Sequence, residues 1–92
     1  MKKLYKVVSV TDKNGKVDQS RIDAIKDICE SMTGELLYPE LVKPGSCLFL
    51  LWNNDSGKMM RTSEIESIES KVGWMKVITK NTIYELEAAS ES

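Results

Sequence analysis

The order of hydrophobic and polar positions changes along the chain and predicts one strand, one helix and then several short strands. Residues 4–10 are rich in β-branched and aromatic side chains and end in a turn that contains Asn14-Gly15. Residues 20–33 carry apolar side chains at helical spacing, which predicts a helix that packs one stripe on the core. The stripe consists of Ile22, Ile25, Cys29 and Met32.

Both ends of the predicted helix carry terminal signals. Asp18 or Ser20 can accept a hydrogen bond from an N–H group of the first turn. Gly34 stands where a left-handed residue commonly ends a helix. Residues 35–46 contain two prolines and are expected to form a connector outside both helix and sheet.

The second half of the chain predicts an antiparallel meander. Residues 47–52 are six consecutive apolar positions, which is typical of a central strand buried on both faces. In residues 63–70, Ile65 and Ile68 are three positions apart, so the segment is expected to be extended with a kink; a helical turn is the alternative. The predicted strands are 47–52, 58–62, 63–70, 74–79 and 82–86.

These elements predict an α+β fold in which one helix packs on a curved antiparallel sheet or on a small barrel of the SH3-like or Sm-like kind. A chain of 92 residues corresponds to one domain. We assign that domain to residues 1–87 and expect the small and polar residues 88–92 to fray.

The composition excludes several kinds of chemistry. Histidine is absent, which removes a histidine general base, a histidine-activated nucleophile and a histidine-ligated metal. Cys29 and Cys47 are too few to complete a structural zinc site and are expected to be buried, reduced thiols. We therefore predict no catalytic residues, no metal site, no cofactor and no small-molecule substrate.

The charge and the hydropathy of the chain bear on its location and partners. The net charge is −1, which excludes a highly basic nucleic-acid-binding tail and an acidic DNA mimic. No apolar run approaches the roughly 18 residues that a membrane span needs. The N-terminal apolar stretch is also short and is interrupted by Lys6, unlike a secretion signal. These features predict a cytoplasmic protein without membrane contact.

Charged residues occur in segments of alternating sign, which indicates cross-strand pairing. In the last predicted hairpin, Lys76 and Lys80 are expected to face Glu85 and Glu87. The alternative is a basic stripe that faces nucleic-acid phosphates. That stripe would consist of Lys58, Arg61, Lys76 and Lys80.

The two tryptophans have different expected roles. Trp52 ends the most apolar strand and is expected in the core, whereas Trp74 follows a turn and is a candidate binding anchor, with a core position that closes the barrel as the alternative. Met59 and Met60 must point to opposite faces of a strand, and we take Met60 as the exposed one. The predicted contact surface is Lys58, Met60, Arg61, Trp74 and Lys76. The competing surface is the acidic helix face with Asp23, Asp27 and Glu30.

Two segments of the second half carry a family resemblance. Thr62-Ser63-Glu64-Ile65 and Thr79-Lys80-Asn81-Thr82-Ile83-Tyr84 form a pattern TS-x-[VI] … T-x-N-[ST]-x-Y within residues 45–87. The pattern resembles short, uncharacterised proteins from phage and prophage regions of bacteria. The resemblance implies a small β-rich protein of mobile-element type and assigns no chemistry. We interpret the hydroxyl groups of both segments as turn residues rather than site residues.

These observations together predict a small non-enzymatic binding module of phage or mobile-element type that acts through a protein partner or through self-association. The alternative is a nucleic-acid-binding accessory protein that uses one face of a small barrel. A third possibility, an enzyme, is disfavoured because no set of nucleophile and base can be assembled from the sequence.

Overall fold

The computed structural model describes residues 3–89 and contains one helix and a seven-stranded antiparallel sheet. The strands follow one another in space in the order β4-β3-β2-β1-β7-β6-β5. The predicted combination of one helix and an antiparallel sheet is confirmed. The elements are β1 (Leu4–Thr11), α1 (Gln19–Ile28), β2 (Thr33–Leu37), a 3-10 turn (Pro39–Leu41), β3 (Phe49–Trp52), β4 (Met59–Arg61), β5 (Ile65–Lys71), β6 (Trp74–Thr79) and β7 (Ile83–Ala89).

The sheet is strongly rolled, although its outermost strands β4 and β5 do not pair with each other within residues 3–89. These two strands are consecutive in the chain, so the Cα atoms of Arg61 and Ile65 can be at most about 14 Å apart. In a flat sheet of seven strands the outermost strands would be about 29 Å apart. Backbone hydrogen bonds support the roll, because Ile65 N–H donates to the Ser46 carbonyl (2.7 Å) and Gly45 N–H donates to the Ile65 carbonyl (2.9 Å).

One hydrophobic core fills the inside of the rolled sheet, and α1 covers part of it. Ile25 and Cys29 are buried while Lys26 and Glu30 are exposed, which confirms the predicted orientation of the helix stripe. Cys47 is only half-buried, so the expectation of two buried thiols holds for Cys29 alone. The buried core residues are Val7, Val10, Ile25, Cys29, Met32, Leu36, Leu48, Leu50, Trp52, Ile65, Met75, Val77, Tyr84 and Leu86.

The helix begins as predicted and ends earlier than predicted. The Asp18 side chain accepts a hydrogen bond from Arg21 N–H (3.1 Å) and caps the first turn. The helix stops at Ile28, and the left-handed residue beyond it is Met32 (φ 55°) rather than Gly34. The helical spacing of Met32 predicted a longer helix, but Met32 lies in the connection between α1 and β2 and still packs in the core.

Gly34 has a different role from the predicted helix cap, because it lies inside β2. A Cβ atom at this position would lie 2.7 Å from Cγ of Leu50 and 2.8 Å from the carbonyl oxygen of Leu51. The absence of a side chain therefore lets β2 and β3 pack closely on the inner face. Residues 33–37, expected partly as connector, form this central strand.

The structure confirms the prediction for β5 but extends the predicted last strand, β7. The expected kink in residues 63–70 is confirmed, because β5 is extended and its register against β6 shifts between Ile65 and Ser67. The last strand is longer than predicted: Ala88 pairs with Tyr5 and Ala89 pairs with Leu4, within the segment expected to fray. Residues 90–92 of that segment lie outside the described residues.

Candidate functional site

The strand register separates an inner face of the sheet from an outer face. Residues directly opposite each other on antiparallel strands point to the same side. The pairing of Leu36 with Leu50 and of Leu50 with Met60 defines an inner row that contacts the core. Two neighbouring rows therefore point outward. They are Leu37–Phe49–Arg61 and Glu35–Leu51–Met59; Leu4, which pairs with Glu35, is buried.

The strand β3 is apolar on both faces but is buried on only one. Leu50 and Trp52 point into the core and are buried, whereas Phe49 and Leu51 point outward and are half-buried. The prediction of burial on both faces is therefore wrong for the described chain. Antiparallel sheets commonly leave one face to solvent, and such a face normally carries polar side chains. The outer face of β3 departs from that pattern.

Neighbouring residues extend this apolar area into a continuous surface, which we call the outer patch. Tyr38 packs edge-on against Phe49 with ring centroids 5.7 Å apart. The exposed fractions of Tyr38 and Met59 are 54% and 47%. Isolated exposed apolar side chains are common, but a contiguous group of them is typical of an interaction site. The outer patch consists of Leu37, Tyr38, Phe49, Leu51 and Met59.

Two opposite charges flank the outer patch. Glu35 lies on β2 opposite Leu51, and Arg61 lies on β4 opposite Phe49, so the two charges are on opposite sides of β3. Neither has an ion-pair partner within 4.0 Å among residues 3–89. The patch therefore combines an apolar centre with charged groups that are available to a partner.

The β4 part of the predicted contact surface adjoins this patch. Arg61 is exposed on the outer face, and Lys58 is exposed in the turn just before β4. The assignment of the two methionines was reversed: Met60 is half-buried and packs on the core, whereas Met59 is exposed beside Leu51. The physical reason is the register, which places Met60 opposite the buried Leu50.

The β6 part of the predicted contact surface lies elsewhere. Trp74 is half-buried opposite Glu87, and Lys71 Nζ lies 5.7 Å from the centre of its ring. Lys76 is half-buried between Glu69 and Glu85, its partners on the two neighbouring strands. In the strand order, β3, β2, β1 and β7 lie between β4 and β6, so the two strands do not pair with each other. The structure therefore divides the predicted surface into two groups.

The structure also tests the predicted charge pairing of the last hairpin. The expected pairing of Lys76 with Glu85 is confirmed by the register. Lys80 does not face Glu87, because it lies in the turn after β6, where its N–H donates to the Glu64 carbonyl (3.0 Å). Of the four basic residues of the proposed phosphate-facing stripe, Arg61 lies on β4, Lys76 lies on β6, and Lys58 and Lys80 lie outside the strands.

The motif hydroxyls have structural roles, as the sequence interpretation expected. Thr79 Oγ1 donates to the Thr82 carbonyl (2.7 Å) and accepts from Thr82 N–H (3.1 Å), which closes the turn between β6 and β7. Thr62 Oγ1 accepts from Leu48 N–H (3.0 Å) and donates to the Ser63 carbonyl (2.9 Å). All three threonines are buried, so the resemblance pattern reports turns rather than a site.

Two cavities adjoin the helix. A cavity of about 480 Å³ lies between α1 and β1, where β2 pairs with β1 only as far as Lys6. Its rim carries Lys6, Lys26 and Glu30, so it presents both signs of charge. A smaller and mainly apolar cavity of about 130 Å³ lies between α1 and the β3–β4 edge, with both Met59 and Met60 in its wall.

Two ionisable groups near the start of α1 have shifted pKa values. The hydrogen bond from Arg21 N–H lowers the pKa of Asp18 below its ordinary value of 3.8. Burial raises the pKa of Tyr84 above 10.0, while the charge of Arg21 acts in the opposite direction. Both shifts favour the ordinary protonation states at neutral pH, so neither group is activated for acid–base chemistry there.

The described residues offer no metal site and no membrane-spanning helix. Within residues 3–89, no group of three or more Cys, Asp and Glu residues is arranged to hold a metal ion. No helix in the same part of the chain is long and apolar enough to cross a membrane. No protein-family model, curated protein or solved structure matches the chain.

Proposed function

We propose that the protein is a non-enzymatic binding module whose outer patch contacts another protein chain. The observation that supports this proposal is the outer face of β3, where Phe49 and Leu51 are only half-buried and lie beside the exposed Tyr38 and Met59. Apolar side chains at this density are expected to be covered by a partner, because removing their surface from water is favourable by roughly 25 cal/mol per Å².

The composition of the patch favours a protein over a nucleic acid as the partner. Aromatic residues, methionine and arginine are enriched at protein–protein contacts, and Tyr38, Phe49, Met59 and Arg61 are of these types. Nucleic-acid surfaces instead need several cations that face phosphates. Lys76, the basic residue expected to extend such a stripe, is flanked by two glutamates in the ladder.

The proposal also includes the finer features expected from the sequence. The rolled sheet is proposed to be related to the SH3-like or Sm-like small barrels, and the chain to be a cytoplasmic protein of phage or mobile-element type. The short connection between β4 and β5 supports the relation to small barrels, because it brings the two outermost strands of the sheet together.

Photo-crosslinking tests the proposed function. A photoreactive phenylalanine analogue in place of Phe49 puts the reactive group in the outer patch with little change in shape. The matched control carries the same group at Val72, which is fully exposed in the turn between β5 and β6. In cells that express the chain, we expect position 49 to crosslink to a polypeptide, position 72 not to do so, and Arg61→Glu to reduce the product.

Two results would contradict the proposal. Equal crosslinking at positions 49 and 72, or none at either, would show that the outer patch has no protein partner. A crosslink to DNA or RNA that weakens steeply with added salt would instead support the nucleic-acid alternative.

A further inference from the structure

We infer that the partner of the outer patch is a second copy of this chain, bound through a twofold interface in which Arg61 of each copy contacts Glu35 of the other. This inference rests on the proposed function, because it names the partner of the same surface. It is carried by the arrangement of charge around β3.

The first step concerns the positions of the two charges. Glu35 is opposite Leu51 and Arg61 is opposite Phe49, on the two strands that flank β3. The charges therefore lie diagonally across the patch, one strand spacing to either side of β3 and two residues apart along it. Their midpoint falls between Phe49 and Leu51, the apolar centre of the patch.

The second step concerns symmetry. In a twofold dimer the same surface meets itself, so each contact between two residues occurs twice. A twofold axis that lies between two facing sheets and runs perpendicular to the line from Glu35 to Arg61 brings Arg61 of each copy over Glu35 of the other. Phe49 and Leu51 of both copies are then buried between the sheets. The patch is thus complementary to itself in charge as well as in hydrophobicity.

The third step concerns competing interactions. Neither Glu35 nor Arg61 has an ion-pair partner within 4.0 Å among residues 3–89, so dimerisation breaks no such pair within the described chain. The net charge of −1 also causes little repulsion between two copies. A patch made of three short strands is small, which places the dimer among weak associations.

Sedimentation velocity on the purified chain tests this inference, at concentrations up to about 1 mM because the association is weak. We expect a reversible dimer. Arg61→Glu and Glu35→Arg should each weaken dimerisation at least about tenfold, because each places like charges opposite one another. The double variant, with both charges exchanged, should return to within about threefold of the original affinity.

Two controls accompany the charge exchange. Asp27→Lys reverses a charge on the exposed side of α1, away from the patch, and should leave the dimer unchanged. Circular dichroism establishes that each variant is folded. Glu35 is half-buried, so Glu35→Lys replaces Glu35→Arg if the latter does not fold.

The outcomes separate this inference from the proposed function. A chain that remains monomeric at every concentration would overturn the second copy as partner, and the crosslink at position 49 would then decide the proposed function by itself. A dimer that resists both single reversals, or that the double variant fails to restore, would also overturn the inference. A dimer that dissociates with Asp27→Lys would assign the interface to the helix face.

Discussion

The outer face of the sheet has two regions that present different kinds of side chain to the solvent. On β1, β7, β6 and β5, lysines alternate with glutamates across the strands, as in the row Glu85–Lys76–Glu69. This region, which we call the charged region, also carries apolar side chains on its outer face, namely the Ile78–Ile83 pair, Trp74 opposite Glu87, and the exposed Val8. On β2, β3 and β4 the outer patch takes the place of such rows.

The two regions differ in how their charges are arranged. In the charged region, Lys76 lies opposite Glu85 and Glu69, so charges of opposite sign face each other along a row. In the outer patch the apolar side chains of β3 have apolar neighbours, and the two flanking charges, Glu35 and Arg61, lie on opposite sides of β3 rather than opposite each other. This contrast is the reason why we propose the outer patch, and not the charged region, as the contact surface.

The largest expected change in stability comes from a substitution on the inner side of β3, and the same substitution on its outer side should have a much smaller effect. Leu50→Ala should lower the free energy of unfolding by about 2–5 kcal/mol, because it leaves a cavity in the core. The neighbouring Leu51→Ala on the outer face should cost about 1 kcal/mol or less. Urea unfolding, followed by circular dichroism at low protein concentration, measures both in the monomer. Equal losses would contradict the assignment of inner and outer faces.

A second substitution tests how closely β2 and β3 pack on the inner face. Gly34→Ala should cost about 1–3 kcal/mol, because the new Cβ would lie 2.8 Å from the Leu51 carbonyl oxygen and cannot be relieved by moving a side chain alone. Leu37→Ala, an outward position on the same strand, is the matched control and should cost less. Unchanged stability in the Gly34 variant would mean that the two strands can separate without loss.

A charge reversal in the charged region should lower the free energy of unfolding by about 0.5–1 kcal/mol more than a charge reversal beside the outer patch. Lys76→Glu places three carboxylates side by side with Glu69 and Glu85 and should destabilise the monomer. Arg61→Glu has no charged cross-strand partner and should leave monomer stability nearly unchanged. The difference should shrink in high salt, which screens exposed charges. A loss that is independent of salt would point to packing rather than to charge.

The smallest expected effect is a pH dependence at the start of α1, next to the charged region, where Asp18 N–H donates to the Val10 carbonyl of β1. Because the pKa of Asp18 is lowered in the folded state, its contribution is full above 3.8 and is lost as the pH falls through the folded value. The Tm of Asp18→Ala should therefore lie below that of the natural chain at neutral pH. The gap should narrow in acid, and an equally wide gap there would contradict the role of the carboxylate.

The elements with strong local signals were predicted well from the sequence. The start of α1, the burial of Ile25 and Cys29, the kink in β5 and the strand β6 all depend on nearby residues and agree with the structure. Gly57 has a positive φ (68°) in the turn after β3, a conformation that glycine adopts readily. Periodicity and turn chemistry determine such features within a few positions.

The remaining features depend on pairing between distant segments, which a local pattern does not contain. Gly34 looked like a helix end, but its role is set by Leu50 and Leu51 on another strand. The exposure of Met59 rather than Met60 is likewise set by register. The apolar run at residues 47–52 predicts burial on both faces of the strand, but only Leu50 and Trp52 of β3 are buried, because the outer face of this antiparallel sheet is not covered by another element of the described chain.

The pairing of β1 with β7 also has a consequence for the order of folding. It joins residues near opposite ends of the described chain, with Leu4 opposite Ala89 and Thr11 opposite Ile83. Closing so long a loop has a large entropic cost that local hairpins do not have. The hairpins β3–β4 and β5–β6–β7 can therefore form early, and the β1–β7 ladder closes last. Until it closes, the core is open, and the apolar inner side chains of both hairpins stay exposed to other chains.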